Sequence, residues 1–267
     1  MPALVDSDLA ALSPPLKWAG GKRWQVPHVR PLWQAHRSRR LVEPFCGGLA
    51  MALGLRPAQA LLNDANPHLV NFYRWVQRGL RITIETGNDS ALYYRHRERF
   101  NELLRTGRAG TREAASLFYY LNRTGYNGLC RFNRQGAFNV PFGRYRSIRY
   151  AREFMALRDA VAGWEFTVGD IESVAIRPDD FVYADPPYDV EFTAYAPGGF
   201  SWGDQERTAR LLARHPGPVV LVNQATPRVT ELYRSLGYAV RFLDAPRRIS
   251  CTGNRAPSRE ILATRHL

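Results

Sequence analysis

RLVEPFCGGLAMALGLRPAQALLND, residues 40–64, decides how the fold is read. Leu41-Val42 begins a short apolar run that stops at Gly47-Gly48. Apolar residues then return at helical spacing to Leu55, and a second apolar run ends in Asn63-Asp64. A buried strand, a glycine turn, a helix and a second strand open a doubly wound α/β sheet. Glycines after such a strand let a nucleoside approach the backbone, and an acid about 20 residues later takes its ribose hydroxyls. Asp64, 19 residues after Phe45, stands at that place. Gly47-Gly48 alone is not the full G-x-G-x-x-G pattern and fits an ordinary tight turn equally well.

The pattern continues outward. NPHLVNFYRWVQ (66–77) has helical apolar spacing, and residues 81–120 read as polar helix rich in Arg and Glu. RFNRQGAFNVPF (131–142) alternates around Gln135-Gly136, which predicts a β-hairpin. Strand signals resume in WEFTVGD (164–170), DFVYADPPY (180–188), PGPVVLVNQ (216–224) and YAVRFLD (238–244). Helices are predicted between them at 204–213 and 227–236. The expected class is α/β with a Rossmann-like sheet. Residues 14–72 and 161–267 form one domain, 73–160 a helical and hairpin insertion, and 1–13 a tail.

Composition narrows the partner. With 267 residues, 45% of them hydrophobic, the chain can bury one large core. It has no apolar run of the roughly 18 residues needed to span a bilayer. MPALVDSDLAALSPP lacks a secretory pattern, and Cys46, Cys130 and Cys251 form no CxxC pair, so a cytoplasmic chain with reduced thiols is expected. The six histidines lack ligand spacing, and no metal is expected. A net charge of +13 points to a polyanion. Seven arginines and no acid lie between Arg123 and Arg152, interleaved with Tyr126, Phe132, Phe138, Phe142, Tyr145 and Tyr150, which suits nucleic acid better than membrane.

The chemistry concentrates in Asp185-Pro186-Pro187-Tyr188, at the end of an apolar strand. Two prolines stiffen the loop and remove two donors, leaving carbonyls as acceptors beside a carboxylate. Such a cup accepts both hydrogens of an exocyclic amino group. It thereby favours a tetrahedral nitrogen whose lone pair can attack an electrophilic methyl group. Tyr188 offers a face to an extruded base. In NRTGYNGLCRFNRQGAFNVPFGRY (122–145), Arg131 suits guanine in the major groove and Tyr126 suits a wedge in the base stack. A wedge assists base flipping, which costs a few kcal/mol.

LKWAGGK, EPFCGG, the ND of LLNDAN, YNGLCRFN with FNVPFGRY, DPPY, FTAY and the RRIS…GNR tail follow one another across most of residues 16–255. In kind and order they resemble the Dam-type DNA adenine N6-methyltransferases. The resemblance implies S-adenosylmethionine as methyl donor, a methyltransferase sheet, duplex DNA as partner and GATC as target. By motif it places Trp18, Lys22, Glu43, Phe45, Gly47, Asp64 and Asp185 at the cofactor. Lys17 would read the first guanine, and Arg131 the guanine pairing with the last base. Tyr126 would intercalate beside Asn127, Leu129 and Pro141, while Asn133 and Arg144 would hold phosphates. It further implies a monomer at the nucleoid, and leaves open a cognate restriction endonuclease as partner and roles in replication or mismatch repair.

The chain departs from the family pattern at Leu49, where many members have a second glycine, at Gln224, where histidine is frequent, and in CTGNR. Cytosine N4 or RNA adenine methylation would use the same acceptor cup, and a catalytically decayed DNA-binding relative is a further alternative. No cysteine follows a proline, which argues against cytosine C5 chemistry. Of 37 basic residues only Lys17 and Lys22 are lysine, so both are expected to sit where a guanidinium does not fit.

Overall fold

A computed structural model describes residues 12–188, 199–245 and 258–267. The FTAY stretch, the RRIS…GNR tail with Cys251 and most of the expected N-terminal tail lie outside the described residues. Seven strands form a single sheet in the order β3-β2-β1-β4-β5-β7-β6. They are β1 (Leu41–Glu43), β2 (Ala60–Asp64), β3 (Trp164–Val168), β4 (Phe181–Ala184), β5 (Val219–Gln224), β6 (Ala239–Ala245) and β7 (Ser258–Arg265). The first five pair in parallel, while β7 runs antiparallel between β5 and β6.

The α-helices among the described residues are α1 (Val26–Gln34), α2 (Ala50–Leu55), α3 (Pro67–Gln77), α4 (Ser90–Arg105), α5 (Arg112–Thr124), α6 (Met155–Ala160), α7 (Trp202–Ala213) and α8 (Pro227–Ser235). Strand side chains alternate between the sheet's two faces. Leu41, Leu62, Phe181 and Tyr183 join a core with α1, α3 and α5. Val42, Leu61, Val182 and Leu221 join a second core with α7 and α8. Both faces are covered, so the central strands read as continuous apolar runs.

Chain order runs from β1 outward through β2 to β3, then returns to β4 on the other flank of β1. That reversal opens a crevice beyond the carboxyl ends of β1 and β4, where open α/β sheets bind ligands.

Three elements differ from the sequence reading. Helix α1 carries Pro27 and Pro31, which mask its pattern, yet Val29 and Trp33 are four apart and buried. Strand β7 was not foreseen. The chain does reverse around Gly136 (φ 76°), but only Phe132 and Phe138 bridge, and no ladder forms there among the described residues. Asn133 builds this reversal with its side chain, accepting from the Gln135 and Ala137 amides. Phe132 turns inward onto His68, with ring centroids 5.0 Å apart. The segment is thus fixed by inward aromatics, and its apolar residues share the core of the first sheet face.

At the amino ends of the central strands β1 and β4, Arg40 grips the buried Asp180 carboxylate with two nitrogens at 2.9 and 2.7 Å. The same carboxylate accepts from the Arg177 amide, joining the loops before β1 and β4. Asp180→Ala strands a guanidinium that is 10% exposed, and about 3–5 kcal/mol of stability should be lost in urea unfolding.

Candidate active site and nucleic-acid interface

Glu43 closes β1 at 2% exposure. Its Oε1 has no hydrogen-bond partner among the described residues, and burial together with the nearby Asp185 charge pushes its carboxyl well above the usual carboxylate range. The chain then turns through Gly47 (φ 43°) and Leu49 (φ 62°) into α2. Leu49 therefore keeps the left-handed backbone a glycine would favour, at a cost of about 1–2 kcal/mol, with its side chain fully buried in compensation. Trp18 lies against both glycines: a Cβ at Gly47 would stand 2.8 Å from its Nε1, and one at Gly48 2.9 Å from its Cβ.

Asp64, at the end of β2, accepts from the Gly47 amide at 3.0 Å and from the Asn66 amide at 2.9 Å. It braces the glycine turn and retains lone pairs for a further donor. Burial raises its pKa, opposed by those two amides. Phe45 meets Phe200 edge-on, with centroids 5.8 Å apart.

Asp185 follows β4 directly, so the reversal of strand order places it beside Glu43. Its Oδ2 lies 3.3 Å from Lys22 Nζ, and its buried Oδ1 has no hydrogen-bond partner among the described residues. Burial raises the Asp185 pKa to about 6, with Lys22 pulling downward and Glu260 upward. Lys22, 5% exposed, also donates to the Gly20 carbonyl at 2.7 Å and lies 4.4 Å from the centre of the Tyr188 ring. Of the two proline carbonyls in DPPY, that of Pro187 is taken by Gln205 Nε2 at 2.6 Å. Pro186, buried between them, receives no hydrogen bond from a described residue. Among the described residues, Asp185 Oδ1 is thus an acceptor without a donor, with the Pro186 carbonyl next in sequence.

Beneath the loop lies polar machinery that the sequence did not reveal. Tyr188 O–H donates to Glu260 Oε2 at 2.7 Å, and Gln25 Nε2 donates to the same oxygen at 2.6 Å. Tyr183 O–H donates to Gln25 Oε1 at 3.0 Å. Asn223 in turn donates to Gln205 Oε1 at 2.9 Å. The only sequence signal was an acid or amide inside an otherwise apolar strand, such as Glu260 in REILA or Asn223 in VVLVNQ.

Lys17 and the segment after α5 lie together. The Lys17 backbone exchanges hydrogen bonds with the Asn122 side chain at 2.8 Å. Its Nζ donates to the Arg123 carbonyl at 2.9 Å and sits 3.4 Å over the Tyr145 ring. Burial and the Arg123 charge lower the Lys17 pKa to about 8. Gly128 has φ 63°, and a Cβ there would stand 2.3 Å from Lys17 Cβ.

Tyr126 is 50% exposed, and Asn127 (φ 51°), Pro141, Arg144 (φ 49°) and Arg131 are exposed as well. Arg131 Nε donates to Asn139 Oδ1 at 2.9 Å, which holds the guanidinium extended along the segment. Leu129 is half-buried, while Asn133 Oδ1 serves the turn described above. The result is a surface bearing an exposed aromatic and several cations.

Among the described residues no His, Cys, Asp and Glu group could hold a metal ion, and no helix is long and apolar enough to cross a membrane. A family model described as D12 class N6 adenine-specific DNA methyltransferase matches residues 18–244. The DNA adenine methylase of Vibrio cholerae serotype O1 is 34% identical over 277 residues, covering 94% of this chain and 96% of its own. Type II methyltransferase M1.LlaDCHI of Lactococcus lactis is 30% identical, covering 98% and 99%. The DNA N-6-adenine-methyltransferase of Escherichia phage P1 is 32% identical over 92% of this chain, which spans 34% of that longer protein.

Lys22 is the cation that contacts Asp185 within the described residues, so Lys22→Met should move the Asp185 midpoint upward from about 6. A carbon-detected NMR titration of the Asp185 carboxyl in both proteins measures the change, and an unmoved midpoint would show that the pair is not coupled.

Proposed function

The chain belongs to the D12 class N6 adenine-specific DNA methyltransferase family, and from that premise we propose that it methylates N6 of an adenine swung out of duplex DNA. The observation that carries this reading is the buried Asp185 Oδ1, without a partner among the described residues, at the carboxyl end of β4 beside Lys22 and a stiff Pro-Pro turn. The donor is S-adenosylmethionine, which when bound supplies a methyl group on a positively charged sulfur. Glu43 Oε1, a buried oxygen without a hydrogen-bond partner among the described residues, fits a ligand that exchanges hydrogen bonds there. Trp18, Lys22, Glu43, Phe45, Gly47, Asp64 and Asp185 hold it, with Asp64 at the ribose hydroxyls.

Asp185 Oδ1 and the Pro186 carbonyl accept the two N–H bonds of the adenine amino group. Sharing both hydrogens draws the nitrogen lone pair out of the ring and aims it. Pro187, fixed by Gln205, keeps the turn rigid, and Tyr188 stacks on the base. Asp185 needs its carboxylate form to act as acceptor, and with a pKa of about 6 it has that form at neutral pH.

The target we propose is GATC. Lys17 reads the first guanine and Arg131 the guanine opposite the last base, while Tyr126, with Asn127, Leu129 and Pro141 beside it, opens the step. Arg144 and Asn133 hold phosphates. The enzyme acts in the cytoplasm, at the nucleoid, as a monomer. The same cup could serve cytosine N4, so analysis of the methylated nucleoside discriminates the rivals.

Expressed in cells lacking adenine methylation, the chain should make their DNA resistant to a nuclease that cuts only unmethylated GATC. Asp185→Ala should leave that DNA cleavable, with purified-enzyme turnover reduced on the order of 10²-fold or more. Resistance conferred equally by the variant would remove Asp185 from the chemistry. Lys17→Arg should keep cofactor affinity while narrowing the preference for the first guanine by about 10- to 100-fold, measured with duplexes substituted at that base.

A further inference from the structure

The geometry points to Glu260, assisted by Gln25, as the residue that positions Tyr188 for stacking on the extruded base. This deepens the reading above and rests on Tyr188 facing that base. A tyrosine ring next to a backbone turn has two rotatable angles, and both must be fixed for its face to receive a planar ligand. In this site the ring is held at two points. Lys22 Nζ stands 4.4 Å from its centre on one face, and its hydroxyl donates to Glu260 Oε2 at 2.7 Å.

These restraints share an origin. Gln25, which donates to the same Glu260 oxygen, hydrogen-bonds through its amide to the Lys22 carbonyl at 2.9 Å. One turn of chain therefore supplies the cation above the ring and steadies the carboxyl group that takes its hydroxyl. Glu260 is 7% exposed and Gln25 fully buried, so water does not substitute for either. Glu260 comes from β7, in register with Gln224 at the carboxyl end of β5, and the strand order alone brings it beneath the loop after β4. Short O–H···O contacts of this length to a carboxyl group are the stronger kind.

The strut orients the ring and touches neither donor nor methyl group, so its loss should appear in turnover rather than in cofactor affinity. Glu260→Ala and Tyr188→Phe should each lower kcat about tenfold, while cofactor Kd by calorimetry stays within about twofold. The double variant should be no slower than either single one, because both remove the same contact. Glu260→Gln, whose carbonyl oxygen can still accept both bonds, should recover kcat to within about threefold of wild type.

An additive double variant, about a hundredfold slower, would overturn the coupling, and so would a Gln variant as slow as Ala. Should Glu260→Ala unfold, as thermal melting would reveal, Tyr188→Phe against Glu260→Gln decides alone: normal kcat in the Phe variant refutes the strut. Failure of the underlying reading is separable, since Asp185→Ala would then retain activity.

Discussion

The site depends on a single ammonium group placed among carboxyl groups. Glu43, Asp185 and Glu260 converge on the crevice where the strand order reverses, and Lys22 is the one lysine or arginine that contacts any of them among the described residues. A buried carboxylate without a partner is costly, and Lys22 relieves Asp185 alone. Among the described residues Asp185 Oδ1 remains without a donor, and burial answers the cost at Glu43 by favouring its neutral form. The fold meets the cost of assembling these groups through its two dry cores.

The same crowding accounts for the two lysines in an arginine chain. Lys22 Nζ reaches the Gly20 carbonyl, Asp185 and the Tyr188 ring at once, at 5% exposure. Lys17 is threaded between the Tyr145 ring and the Arg123 carbonyl, its Cβ filling the space a side chain at residue 128 would need. Each ammonium serves as a point charge inside a narrow sleeve. A planar guanidinium presents five donors in a fixed fork and cannot enter either one without displacing an aromatic ring.

Much of the frame was legible because the central strands are buried on both faces. Apolar runs at 41–43, 60–64 and 181–184 leave little freedom of interpretation, and each ends in an acid or a glycine turn. What escaped were elements defined by contacts distant in sequence. Glu260 carries no local pattern, since its purpose appears only when β7 inserts beside β5 and brings it under Tyr188. Helix α1 was concealed by two prolines. The reversal at Gln135-Gly136 was expected, but the alternation around it reports inward phenylalanines rather than a ladder. Asn133 shows the same limit: its side chain builds the turn, a use that residue type and spacing do not distinguish from a surface contact.

Residues 16–22 connect these observations. Leu16 is buried in the first core, and Lys17 is tied by its backbone to Asn122 at the end of α5. The next residue, Trp18, lies on the glycine turn after β1, and Lys22 pairs with Asp185 after β4. Seven residues thus touch the segment bearing Tyr126 and Arg131, the turn braced by Asp64 and the acceptor carboxylate. Each attachment is short, so the three places are tied to one another through a few residues. A displacement of Lys17 by a ligand must be absorbed within five residues or passed to Lys22. One short stretch of chain thus ties the segment after α5 to the carboxyl ends of β1 and β4.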